Sequence, residues 1–194
     1  MLAGNLNKRN TDTTMALREI KTYPDPVLRK ETAAVKEFND ELRQLITDMI
    51  QTMYAAPGVG LAANQIGVSL RVAVVDITKR DPENDLPFKN KEQLILVNPR
   101  IVDGQGAQTD EEGCLSVVDM TANVKRFQKI MVQAQDLEGK KIEIEVEDFL
   151  ARVIQHEVDH LDGVLFIDRI SALKRAFYKK RRLKQLKEQQ EENG

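Results

Sequence analysis

The stretch Asp148-Phe149-Leu150-Ala151-Arg152-Val153-Ile154-Gln155-His156-Glu157-Val158-Asp159-His160-Leu161-Asp162-Gly163 decides how the rest of the chain is read. Phe149, Leu150, Val153, Ile154, Val158 and Leu161 recur at helical spacing, which predicts a helix with one face turned inward. Asp148 is expected to cap it, and Gly163 to end it where a left-handed turn is easiest for glycine. His156 and His160 stand four residues apart, so their imidazoles share a face about one turn apart and can share one ion. Glu157 lies about 100° further round, close enough to reach a water on such an ion without taking its place. That is the position of a general base. The alternative, two histidines at helical spacing with no ion, leaves Glu157 without a task.

Upstream, Leu42, Leu45, Ile46, Met49, Ile50 and Met53 fall on one face of a second helix, with Asn39 as cap and Pro57-Gly58 as stop. Tyr23-Pro24-Asp25-Pro26 is turn chemistry, and Val27 to Lys30 fits a short helical turn. Arg71 to Ile77 and Leu94 to Val97 read as strands, with Lys79 to Lys91 as a polar loop between them. Ile130 to Asp136 and Lys141 to Glu147 alternate apolar with polar around Leu137-Glu138-Gly139-Lys140, a β-hairpin with one face buried. A short apolar strand is expected over Val164 to Ile167. From Ser171 the pattern is a charged helix with Leu173, Phe177, Leu183 and Leu186 as sparse apolar contacts, then a polar tail over 188–194. Strands without regular β-α-β alternation predict an α+β fold, with mixed or antiparallel sheets around the central helix and a C-terminal helix.

A chain of 194 residues, 41% of them hydrophobic, can bury a core as one domain. The formal charge of −2 argues against a global attraction to nucleic acid or anionic membrane. No apolar run approaches the roughly 18 to 20 residues that cross a bilayer. Residues 1–14 are polar and without period, which predicts a disordered N-terminal extension. The single cysteine, Cys114, excludes an internal disulfide and favours a reducing compartment, the cytoplasm.

Two imidazoles do not complete a cation site. Phe166 stands where one class of zinc peptidases has a third histidine, and Glu188, Glu191 and Glu192 read as solvated. Cys114 is left as a soft donor that would complete a Cys-His-His set with one position open; it can also be a small buried apolar side chain.

Three segments, Gly58-Val59-Gly60-Leu61-Ala62-Ala63-Asn64-Gln65, Glu112-Gly113-Cys114-Leu115-Ser116 and Gln155-His156-Glu157-Val158-Asp159-His160, together resemble the peptide deformylases, in the family's order. The resemblance runs from Met15 to about Arg182 and implies one catalytic domain over 15–194, with 171–194 as charged helix and tail. It implies removal of the formyl group from N-formylmethionine on nascent peptides, releasing formate. Cys114, His156 and His160 would hold the metal, a metal-bound water would be the nucleophile and Glu157 the general base and acid. The Gln65 side chain and the Leu115 backbone N–H would be the oxyanion donors. Val59, Gly60, Gly113, Arg126 and Val153 would line or flank the substrate pocket. The family implies Fe²⁺ in the cell, with Zn²⁺, Ni²⁺ or Co²⁺ in a purified sample. Val118 departs from the usual proline, which bears on the backbone over 117–123. The basic helix 171–187 reads either as a solvated face or, by resemblance, as a ribosome contact; neither a membrane nor a sequence-specific nucleic acid is expected as partner.

Overall fold

The computed structural model describes residues 16–77 and 93–192. The N-terminal extension and the loop 79–91 expected from sequence lie outside the described residues. In chain order the elements are α1 (Asp40–Ala55), β1 (Gly60–Ala62), β2 (Val72–Val75), β3 (Leu94–Gln105), β4 (Gln108–Cys114), β5 (Val117–Arg126), β6 (Lys129–Gln135), β7 (Lys141–Glu147), α2 (Asp148–Leu161) and α3 (Ala172–Glu192). Short 3₁₀ turns occupy Pro26–Arg29, Ala63–Ile66 and Phe166–Asp168.

Five strands form one sheet in the order β1-β2-β3-β6-β7, and β4 and β5 form a separate two-stranded ribbon. Every named pairing is antiparallel. The sheet is sandwiched between helices, and β2 shows how. Its Val72 and Val74 pack with Leu42, Ile46, Met49 and Met53 of α1, while Val75 packs with Leu150, Ile154 and Val158 of α2. A strand covered on both sides reads as a continuous apolar run, which is what Val72 to Val75 shows. Asn39 caps α1 by accepting from the Leu42 N–H at 3.1 Å. No helix of the described residues is long and apolar enough to cross a membrane.

Several expectations need correction. Glu147, not Asp148, holds the N-cap position of α2; the Asp148 carboxylate instead accepts from Gln128 Nε2 at 3.2 Å. The apolar run Val164 to Ile167 is not a strand. The Leu165 N–H donates to the Asp168 carboxylate at 3.0 Å, which rolls Phe166–Asp168 into a 3₁₀ turn. Leu94 to Val97 is only the start of β3, whose register shifts on either side of Arg100 and Ile101 let the strand continue past Pro99. The supposed tail is helical as far as Glu192, and α3 turns Tyr178 and Arg182 to the body while Leu173, Phe177 and Leu183 stay exposed. Tyr178 packs on Tyr23 with ring centroids 5.9 Å apart, and Arg182 Nε donates to the Tyr23 carbonyl at 3.1 Å.

Gly163 ends α2 at φ +72°, and a Cβ there would lie 2.7 Å from the Arg29 carbonyl oxygen. Gly163→Ala is expected to cost roughly 2 kcal/mol, from strain added to a backbone clash. A urea midpoint equal to that of the unaltered protein would contradict this.

Candidate metal centre and active site

The helical spacing delivers what it promised. The His156 and His160 rings are 5.0 Å apart between centroids. Cys114, at the end of β4, brings Sγ to 3.1 Å from His160 Nε2. One donor atom from each of Cys114, His156 and His160 lies within 4.8 Å of the other two. His156 Nδ1 faces Glu112 at 3.0 Å, which leaves Nε2 on the opposite side of the ring, and the Phe166 ring stacks on the same imidazole at 6.2 Å. Two imidazoles and one sulfur converging in this way fit a late divalent ion with an open position.

Electrostatics fit the same purpose. Burial alone would lower the His156 pKa, but its bonds to Cys114 and Glu112 overrule this and carry it well above the ordinary value. Burial, followed by the charges of His156 and Arg126, holds His160 well below. The two imidazoles are thus pushed in opposite directions, His160 toward the neutral form in which a ring nitrogen can serve as a ligand. Glu157 is 4% exposed, and its Oε2 has no partner among the described residues. Burial pushes its pKa up to about 7, against an opposing pull from His156. A carboxylate tuned near neutrality is suited to both taking and returning a proton.

Behind His156 lies a chain of ions that sequence reasoning did not identify. Glu112 accepts from Arg126 Nε at 2.8 Å and Nη2 at 2.9 Å. Burial would raise the Glu112 pKa, but these bonds and that from His156 hold it at about 2. The far side of Arg126 binds Asp159, which also accepts from Arg169. A carboxylate fixing the rear nitrogen of a ligand imidazole sets its tautomer and aim. Glu112→Gln is therefore expected to lower metal affinity about 10- to 100-fold, read as metal retained after dialysis against a graded chelator.

A cavity of about 630 Å³ opens onto the site, lined among others by Val59, Gly60, Gln65, Gly113, Cys114, Leu115, Val153, His156 and Glu157. Arg126, expected beside the substrate, is absent from that wall; its side chain is 2% exposed and committed to Glu112 and Asp159. Phe149 and Arg152 line the outer cavity instead, with the guanidinium 5.0 Å from the Phe149 ring centroid and 2.7 Å from Asp110. Their sequence signal was the α2 periodicity, which marked Phe149 only as an inward residue.

Gln65 is carried by the turn Ala63–Ile66, where its Oε1 accepts from the Ala62 N–H at 2.8 Å and its Nε2 donates to Ser116 Oγ at 3.1 Å. Its amide nitrogen is 3.8 Å from Cys114 Sγ. The N-terminal segment ties both loops down: the Lys21 N–H donates to the Gln65 carbonyl at 2.7 Å and the Tyr23 N–H to the Ser116 carbonyl at 2.8 Å. Val118 lies in β5, in a bulge between the register pairs Cys114↔Val117 and Gly113↔Thr121. That bulge aims Asp119 and Met120 at the cavity, and the Asp119 carbonyl accepts from Arg181 of α3.

An α+β fold that sets a Cys-His-His donor group beside a buried carboxylate on the wall of a cavity has the donors to hold a divalent ion next to a proton acceptor. The particular family follows from comparison with known proteins. Residues 17–176 match the family model for polypeptide deformylase. The chain is 50% identical over 167 residues to a peptide deformylase of Desulfotalea psychrophila, covering 86% of this chain and 95% of that one. A crystal structure of a peptide deformylase from Legionella pneumophila superposes with a TM-score of 0.79 at 46% identity, covering 90% of this chain and 98% of that one. One from Synechococcus elongatus, in complex with actinonin, gives 0.74 at 37% identity over 81% and 83%. The chain belongs to the polypeptide deformylase family, hydrolases that remove N-formyl groups.

Proposed function

We propose that this chain removes the formyl group from N-formylmethionine at the start of newly made proteins, in the cytoplasm, with Cys114, His156 and His160 holding one divalent ion. The observation that carries the reading is the convergence of those three donors within 4.8 Å beside the buried Glu157. A bound ion of this kind acts as a Lewis acid and lowers the pKa of water from 15.7 to about 7. Glu157 then takes the proton of the attacking water on its carboxylate and returns it to the departing methionine nitrogen, which leaves poorly unless protonated. The products are formate and a free amine.

The Gln65 amide and the Leu115 backbone N–H, both on the cavity wall, are suited to donate to the oxygen that gains charge as the formyl carbon becomes tetrahedral. Val59, Gly60, Gly113 and Val153 give the wall the small, apolar character a methionine side chain needs. Fe²⁺ is the proposed working ion, with Zn²⁺, Ni²⁺ or Co²⁺ able to occupy the same donors in a purified sample. The basic α3 is proposed to meet ribosomal phosphate, an attachment that must weaken steeply with added salt; salt-insensitive binding would remove it.

Metal analysis under anaerobic conditions, paired with formate release from formylated and unformylated peptides, tests the whole reading. One equivalent of metal and release from the formylated peptide alone is the expected result. Cleavage of internal amide bonds in unformylated peptides would make the chain an endopeptidase instead.

A further inference from the structure

A second cavity, of about 650 Å³, lies on the other side of α2 from the donor cluster. Its wall carries five cationic side chains, Arg71, Arg100, Lys125, Arg126 and Arg169, against two carboxylates, Asp159 and Asp162. The pairing is lopsided. Asp159 serves both Arg126 and Arg169, Glu112 takes the other edge of Arg126, and Asp162 is taken by Arg71 at 2.7 Å, so the unspent charge is that of the remaining two cations. Arg100 and Lys125 have no carboxylate partner among the described residues. Ile101, Val158 and the half-exposed Phe127 give the same wall an apolar face.

We infer that this cavity binds a small phosphate-bearing anion. The physical reason is the concave surplus of positive charge beside low-dielectric wall, which focuses the field on whatever sits inside. Guanidinium groups favour oxyanions with several acceptor oxygens, because two N–H donors can meet two of them at once. A volume of about 650 Å³ is of the size that receives a small molecule. Exposed Arg100 and Lys125 supply the unspent charge, and the Ile101 and Phe127 surface supports an apolar body attached to the phosphate. None of its cationic side chains lines the first cavity, and only Arg126 connects the two, through Glu112.

The test uses the zinc-loaded full chain, titrated with inorganic phosphate and separately with phenyl phosphate, followed by calorimetry and by amide chemical shifts. Saturable binding at one equivalent is expected, with the largest shifts at Gly106, Ala107 and Phe127. Double replacement Arg100→Met with Lys125→Met, both surface positions outside the first cavity, should weaken that binding at least about tenfold and leave formate release unchanged. Tighter binding of phenyl phosphate assigns the site to phosphomonoesters, and equal binding assigns it to free phosphate. Equal affinity in the double variant, an equal response to potassium chloride at matched ionic strength, or shifts confined to α3 or the donor cluster would each overturn the inference. The shift map reads the unaltered protein, so it decides even if the variant fails to fold.

Discussion

Glu157→Gln is expected to lower formate release from a formyl-methionyl peptide by about 10²- to 10⁴-fold while the metal content stays at that of the unaltered protein. Glutamine keeps the shape of the side chain and removes its capacity to carry a proton from water to the leaving nitrogen. Metal should remain because the proposed donors, Cys114, His156 and His160, are left in place. Stability moves the other way. Burial raises the folded-state pKa of Glu157 from 4.5 to about 7, so the folded state holds its proton longer than the unfolded chain does. That contribution is complete below the unfolded value and is lost as pH rises through the folded one. In metal-free protein the unaltered chain should therefore lose stability relative to Glu157→Gln between pH 5 and pH 8, measured as urea midpoints. A variant that keeps its metal and more than about a tenth of the rate would remove Glu157 from the proton path.

Gly60→Ala is expected to cost about 10²-fold in the same rate with little change in stability. A Cβ on Gly60 would fall 2.3 Å from Glu157 Oε1 and 2.8 Å from its Cδ. The strand cannot yield, because Gly60 is paired with Val75 in the sheet and is buried. The movable partner is the carboxylate, which can swing aside at small cost to the fold and at large cost to proton transfer. The diagnostic is therefore a split: a melting temperature close to that of the unaltered chain beside a depressed kcat. Full activity would mean that the Glu157 position seen here is not the one the reaction uses.

The parts of the molecule visible in sequence are those set by local spacing. The α2 periodicity, the four-residue gap between His156 and His160, and the Asn39 cap each depend on neighbours in the chain, and each is found in the fold. Cys114 was recognisable as a donor type, but its approach to His160 depends on how the β4–β5 ribbon docks. That ribbon was missed because Gln108–Cys114 is polar and its pairing supplies the order. A faint period-two signal, Ala122, Val124 and Arg126 all facing inward, was there to be read. The place of Arg126 is not legible in sequence, because it neutralises Glu112 and Asp159, which come from a strand and a helix far apart in the chain. The inward face of α3 is not legible from its leucines and phenylalanine, because it is made by Tyr178, whose ring packs on Tyr23, and Arg182, which donates to the Tyr23 carbonyl while its stem is buried.

The stitching of Lys21 to the Gln65 loop and of Tyr23 to the Ser116 loop bears on how the protein matures on its own ribosome. The residues made first hold loops made much later, and the second imidazole follows 46 residues behind the sulfur it approaches. A growing chain thus has no cation cradle until nearly the entire domain has emerged, and such long-range closure is slow relative to local helix formation. A chain that has not yet supplied His160 therefore lacks one of the three proposed donors.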